Sequence, residues 1–280
     1  MTTIGLLHPG TMGARVGGVL RAAGHDVAWV RAGRSAQTLR RAQDAGLRPE
    51  TTSTIARQCR VVLSVCPPGN AVEVARELSL AGFKGLYVDA NAISPATAEW
   101  ISTIITEGGG RFVDASIVGP PPVAAGTTRI ALSGPHAGQV VKLFAGGPLA
   151  PVDLGVRIGA ASAFKMAYAG WTKATGALLL ALRSYARAWD LEDALVEEWH
   201  LSLPDLPERS TESARGIHRK AWRFVDEMQF IADAFAEVGL PPGFHSAAAE
   251  MFAALARLRH EPGDQDPAEV YDLLRGQPST

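Results

Sequence analysis

The residues with the plainest chemistry are the glycines of Ile4-Gly-Leu-Leu-His-Pro-Gly-Thr-Met-Gly13, where an apolar run, a tight turn and the start of an amphipathic stretch follow one another. That context suits phosphate binding. Gly10 lets a backbone approach a pyrophosphate, Gly13 lets a helix lie close on a strand, and the helix start offers unpaired N–H groups to an anion. His8, Pro9, Gly10, Thr11, Met12 and Gly13 are therefore the expected dinucleotide turn. His8 stands where the first glycine of a GxGxxG pattern would fall, so His8-Pro9 must make the turn by another route. A glycine-rich turn without a ligand is the plain alternative. A second group lies at Val30-Arg-Ala-Gly-Arg-Ser35, where an enzyme selective for NAD(H) carries an acidic residue for the ribose hydroxyl. Here Arg31, Arg34 and Ser35 offer guanidinium groups and a hydroxyl, which suit a doubly charged 2′-phosphate. The expected cofactor is NADP(H); a solvated basic loop is the other reading.

Such a turn works only on a parallel sheet. Short apolar runs at 4–7, 26–30, 61–65, 85–89, 111–114 and 129–132 read as strands. Helical patterns at 12–23, 36–45, 70–80, 95–107 and 136–143 alternate with them, which is the rhythm of a sheet covered on both faces. From about residue 155 β-branched runs vanish and helical spacing takes over at 161–188, 192–200, 210–236 and 244–260, with a short helix at 267–275. The expected fold is an α/β Rossmann domain with a mostly parallel sheet over 1–155, then an all-α domain for substrate and dimerisation over 156–280.

Composition narrows the partners. With 27 basic and 28 acidic side chains in 280 residues, the chain has no field to gather nucleic acid. No apolar segment approaches a membrane span of about 20 residues, and no secretory leader pattern is present. Cys59 and Cys66 read as packed thiols and no metal-ligand spacing occurs, so a cytoplasmic protein without a metal is expected.

Five ordered motifs carry a family resemblance: His8-Pro-Gly-Thr-Met-Gly13, Ala23-Gly-His-Asp-Val27, Val65-Cys-Pro-Pro-Gly69, Val88-Asp-Ala-Asn-Ala-Ile-Ser-Pro95 and Phe164-Lys-Met-Ala-Tyr-Ala-Gly170. Together they resemble the β-hydroxyacid dehydrogenase and 6-phosphogluconate dehydrogenase superfamily, in the phosphogluconate-dehydrogenase-like branch with its own helical C-terminal domain. The resemblance implies that Lys165 is the acid/base residue, exchanging the proton that accompanies hydride transfer. It implies that Asn91, after the fourth expected strand, helps hold the nicotinamide or the substrate, and that Cys66, Pro67 and Pro68 border the cofactor. Pro67 and Pro68 read equally as a rigid turn. Asp114-Ala-Ser-Ile-Val-Gly119 corresponds to the family's substrate loop, in which the carboxylate-binding serine aligns with Val118 and Ser116 lies two positions earlier. Ser116, Val118, Gly119, Lys165 and Tyr168 are the expected substrate contacts. Tyr168, one turn after Lys165, either donates to the substrate oxygen or is a core tyrosine.

The family's asparagines after the lysine are Tyr168 and Ala169 here, which argues against 6-phosphogluconate itself. The expected activity interconverts an alcohol, a small 3-hydroxy acid, and its carbonyl. Imine reduction and a non-catalytic NADP(H)-binding sensor are the alternatives. By resemblance, the apolar stretch 174–182 is expected to be covered in a homodimer.

Overall fold

In the computed structural model the first part of the chain alternates β1 (Thr3–Leu7), α1 (Thr11–Ala22), β2 (Asp26–Val30), α2 (Ala36–Asp44), β3 (Arg48–Glu50), α3 (Thr52–Gln58), β4 (Val61–Ser64), α4 (Ala71–Leu80), β5 (Leu86–Asp89), α5 (Pro95–Glu107), β6 (Arg111–Val118), β7 (Thr128–Ser133), α6 (Ala137–Phe144) and β8 (Leu149–Asp153). The structure describes residues 2–261 and 263–276, without the side chain of His218. Residues 1, 262 and 277–280, which the expected domain limits include, lie outside the described residues. One eight-stranded sheet runs β3-β2-β1-β4-β5-β6-β7-β8. All neighbours are parallel except β6 and β7, as the mostly parallel Rossmann expectation requires. The chain order reverses between β1 and β4. Open α/β sheets bind ligands outside the carboxyl ends of the strands at such a point.

Alternating side chains build two cores, one on each face. Ile4, Leu6, Val27, Trp29 and Leu63 meet Val16 and Leu20 of α1 and Phe144 of α6. Leu7, Ala28, Val62 and Tyr87 meet Ile55 of α3, Leu78 of α4 and Ile101 of α5. Helix starts are set locally: Ser35, Thr51 and Ser94 accept hydrogen bonds from the backbone N–H groups of Thr38, Thr54 and Thr97 at 3.3, 3.1 and 3.2 Å.

Three elements have no counterpart among the expected ones: β3, α3 and β8. Both extra strands lie at sheet edges and contain a proline, Pro49 and Pro151, which an edge strand tolerates because its outer N–H positions need no partner. Arg48 fixes β3 by ion-pairing with Asp26 at 2.8 Å and with Glu50. The seven residues of α3 include three threonine and serine side chains, a weak helical signal that the Thr51 cap offsets.

The remaining elements are α7 (Ala160–Ala188), α8 (Glu192–Ser202), α9 (Leu206–Glu237), α10 (Gly243–Leu255) and α11 (Pro267–Leu274). α9 starts before the expected residue 210 because Pro207 sits in its first turn, where a missing N–H costs nothing. α10 stops at Leu255, and a single 3-10 turn follows. Internal contacts divide the chain after Met166, inside α7, where the sequence reading puts the limit at 155. Residues 160–166 belong with the sheet because Ala161 and Ser162 bond to Ser133 and Asp114. The second unit has its own core, including Leu180, Met228, Ile231, Phe252 and Tyr271. Arg187 ties its helices together, pairing with Asp272 at 2.8 Å and Glu192 at 3.0 Å.

Candidate active site

At the carboxyl end of β1 the chain turns on His8, whose φ of 66° lies in the left-handed region that glycine ordinarily fills. The histidine thus supplies the conformation of the missing glycine. Gly10 N–H donates to the His8 carbonyl at 2.8 Å and closes the turn. A Cβ on Gly13 would stand 2.4 Å from the His8 carbonyl oxygen, so only glycine lets α1 lie this close. A Cβ on Gly10 would meet nothing within 4 Å. Open space therefore faces the start of α1, which has no side-chain cap and no acidic residue in its first turn. Its N–H groups and dipole are available to an anion. Pro9 is buried, Met12 half-buried and Thr11 exposed.

Of two basic side chains here, His8 lies in the turn and Arg34 is near enough for its charge to act on it. Burial, and secondly the charge of Arg34, push the His8 imidazole down to about 4, and its Nδ1 is buried without a partner. Arg34 is half-buried, with Nε buried and unpartnered; burial lowers its guanidinium from the ordinary value, while Cys66 and Glu77 favour its charge. Arg31 is exposed, its N–H donating to the Glu50 carbonyl at 3.2 Å. Ser35 is committed to capping α2, with its hydroxyl also 3.2 Å from that of Thr38.

The ends of β4 and β5 are clasped by Asn91, which is 3% exposed. Its Oδ1 accepts from the Cys66 N–H at 2.6 Å and its Nδ2 donates to Ser64 Oγ at 3.1 Å. Asp89 Oδ1 accepts from the Asn91 N–H at 3.0 Å. Asn91 thus shapes the loop beside the turn. Burial pushes the Cys66 thiol up to about 12, so it is no nucleophile here. Pro67 is exposed, and Pro68 opens the short 3-10 turn that leads into α4.

β6 runs past the end of its pairing with β5, so Ile117 and Val118 lie beyond the carboxyl end of β5 and pair with β7 alone. There Lys165 Nζ donates to the Ile117 carbonyl at 2.7 Å. Its position is set one turn earlier by a group that the sequence reading passes over. Asp114 accepts from Ser133 Oγ at 3.1 Å, Ser162 N–H at 3.0 Å and Ser162 Oγ at 2.7 Å, and Ser133 Oγ accepts from Ala161 N–H at 3.0 Å. This network caps α7 and fixes it to β6 and β7. The capping oxygens belong to Asp114 and Ser133, distant from α7 in sequence, so no local cap signal marks them.

In the expected substrate loop, Ser116 is fully buried and donates to the Ala161 carbonyl at 2.8 Å, tying β6 to α7, and Val118 is buried and pairs with Arg129 of β7. Gly119, at φ 111°, is exposed, and a Cβ there would stand 2.3 Å from the Thr127 carbonyl oxygen. It is the pivot from β6 toward β7. Tyr168 falls in the second unit and is 41% exposed. Among the described residues no cluster of three or more His, Cys, Asp or Glu is poised for a metal, and no helix is long and apolar enough to cross a membrane.

The strand reversal, the uncapped helix start behind Gly10 and the orphaned nitrogens of His8 and Arg34 fit a bound dinucleotide, and they define the class: a dinucleotide-binding Rossmann fold. The family described as the NAD binding domain of 6-phosphogluconate dehydrogenase matches residues 2–142, half of the chain, and the chain belongs to it. Residues 186–255 match a second family, described as a domain of unknown function (DUF1932). An uncharacterized 28.5 kDa protein from the 7S RNA 5′ region of Methanothermus fervidus is 31% identical over 167 residues. That match spans 59% of this chain and 63% of the relative, less than two thirds of its length. A solved conserved protein of unknown function, described as structurally similar to 3-hydroxyacid dehydrogenases, is 30% identical over 92% of this chain and 98% of its own, with a TM-score of 0.73. Mycobacterium tuberculosis 3-hydroxyisobutyrate dehydrogenase, solved with L-serine, shares the fold at 21% identity, covering 98% of this chain and 99% of its own with a TM-score of 0.73. The chain therefore carries the NAD-binding domain of that family on a mostly parallel sheet, followed by a helical C-terminal region.

Proposed function

We propose that this protein is an NADP(H)-dependent oxidoreductase that interconverts a small 3-hydroxy acid and its carbonyl, with Lys165 as the proton donor and acceptor. The observation that carries the reading is the half-buried Lys165, held by the Ile117 carbonyl at 2.7 Å beyond the carboxyl end of β5, in the sheet that bears the dinucleotide turn. The α1 start and Gly10 would hold the pyrophosphate, and Arg31 and Arg34 the 2′-phosphate, since no carboxylate ends β2. When bound, the nicotinamide supplies or accepts a hydride. Lys165 Nζ moves the accompanying proton: it takes the hydroxyl proton in oxidation and returns one to the carbonyl oxygen in reduction. The Asp114, Ser133 and Ser162 network restricts where that amine can travel.

A panel of 3-hydroxy acids, 3-oxo acids and cyclic imines, followed through NADPH absorbance with NADH in parallel, tests the reading. Turnover of a hydroxy or oxo acid that collapses in Lys165→Ala, with NADPH binding retained, supports it. Persisting turnover in that variant removes Lys165 from the chemistry, turnover of imines alone replaces the substrate class, and no turnover with any of them points to a sensor. Equal catalytic efficiency with NADH removes the cofactor preference.

We also infer a homodimer. In the second unit Trp171, Leu178, Leu182 and Tyr185 of α7, and Trp189 in the turn just after it, are all at least 40% exposed. With Thr175 they recur at alternating steps of three and four residues, the seam of a helix that meets another helix.

A further inference from the structure

His8 has three properties that a spacer in a tight turn would not need. It holds a left-handed φ without being glycine, a strained state that persists where function selects it. Its Nδ1 is buried without a hydrogen-bond partner. And the turn it opens leads, at Gly10, to open space in front of an uncapped helix start, while Arg34, whose Nε is a second unpartnered nitrogen, is close enough for its charge to act on the imidazole. A glycine at this position would leave the phosphate cradle with backbone donors alone; the histidine adds a group whose charge depends on what occupies the cradle.

We propose that dinucleotide binding takes up a proton on His8, and that the imidazolium so formed donates a hydrogen bond to a pyrophosphate oxygen. This rests on the cofactor reading above. The proton comes from solvent, and no bond in the ligand is made or broken. In the free protein the imidazole is neutral at ordinary pH, because burial and the Arg34 charge oppose protonation. An anion set between the two cations cancels the repulsion and adds an acceptor, so the same histidine becomes basic. The other titratable groups around it do not supply this switch. Glu77 and Cys66 act on Arg34, and Asp89 acts on Cys66; Arg34 is the charged group that acts on His8 itself.

The test is calorimetric titration of NADP+ into the full chain and into His8→Asn and His8→Gly, in two buffers of different ionisation enthalpy. Both replacements accept a left-handed φ, and thermal melting checks that they fold. If an opposing charge raises the imidazole by about two units, wild type binds about tenfold tighter near pH 5 than near pH 8, beyond any change in the variants, and takes up most of a proton at the lower pH. Titration of the ligand's own 2′-phosphate is common to all three proteins and cancels in the comparison. Imidazole nuclear resonances should move toward the protonated position when NADP+ is added near pH 5. Equal pH slopes and proton counts in wild type and variants overturn the proposal while leaving cofactor binding intact. Absence of NADP+ binding to wild type at either pH overturns the cofactor reading, and the proposal with it.

Discussion

Asp89 lies fully buried at the end of β5, with one oxygen bonded to the Asn91 N–H and the other without a partner. Burial first, and the facing Asp114 carboxylate as well, push its acid up to about 7 from an ordinary 3.8, against the pull of Asn91. The folded state therefore holds a proton that the unfolded chain gives up, so this group's contribution to stability is complete below about pH 4 and is lost as pH rises through about 7. Asp89→Asn removes the charge and keeps an acceptor for Asn91. Urea unfolding should find the variant more stable than wild type near pH 8 and the difference gone near pH 4; a constant difference would mean that Asp89 does not titrate in this range. His8 acts in the opposite sense, its depressed pKa withdrawing stability as pH falls from about 6.5 through about 4. At this scale the glycines, arginines and lysine were legible in the sequence because each is a local chemical type. The fates of Ser35 and Ser116 were not, since a hydroxyl's use depends on which carbonyl or N–H the fold brings beside it.

The elements bind into a working site through the first turn of α7. Asp114→Ala would leave Ser133 Oγ, Ser162 Oγ and the Ser162 N–H without their acceptor in a buried place, at a cost of about 3 kcal/mol. The expected outcome is a clear drop in urea midpoint and, on the proposed chemistry, a fall in kcat at nearly unchanged NADP+ affinity, because the lysine loses its footing while the glycine turn does not. An unaltered midpoint would show the network to be dispensable. Long periodic elements such as α1, α5 and α7 could be read directly from apolar spacing, since amphipathic helices announce their buried face. β3 and β8 could not: three and five residues with a proline each carry too little pattern, and tertiary pairing at the sheet edges decides them.

At the scale of the whole molecule, the α7 seam makes the quaternary state a testable property. Leu178→Glu in the exposed row should lower the sedimenting mass from dimer to monomer at micromolar concentration while leaving the dinucleotide turn able to bind NADP+; a wild-type protein that sediments as a monomer would remove the dimer. The two buried thiols serve another purpose. Cys59 and Cys66 are unpaired, and burial pushes them up to about 11 and about 12. An alkylating reagent near neutral pH meets almost no thiolate until the surrounding structure opens. One cysteine sits beneath the α3 side of the sheet and the other is held at the Asn91 clasp by a backbone bond. Their separate labelling rates therefore form a pair of internal clocks, one timing the opening of the sheet's packed face and the other timing the opening of the ligand edge. Any ligand that settles in the cradle should slow the second clock before it slows the first.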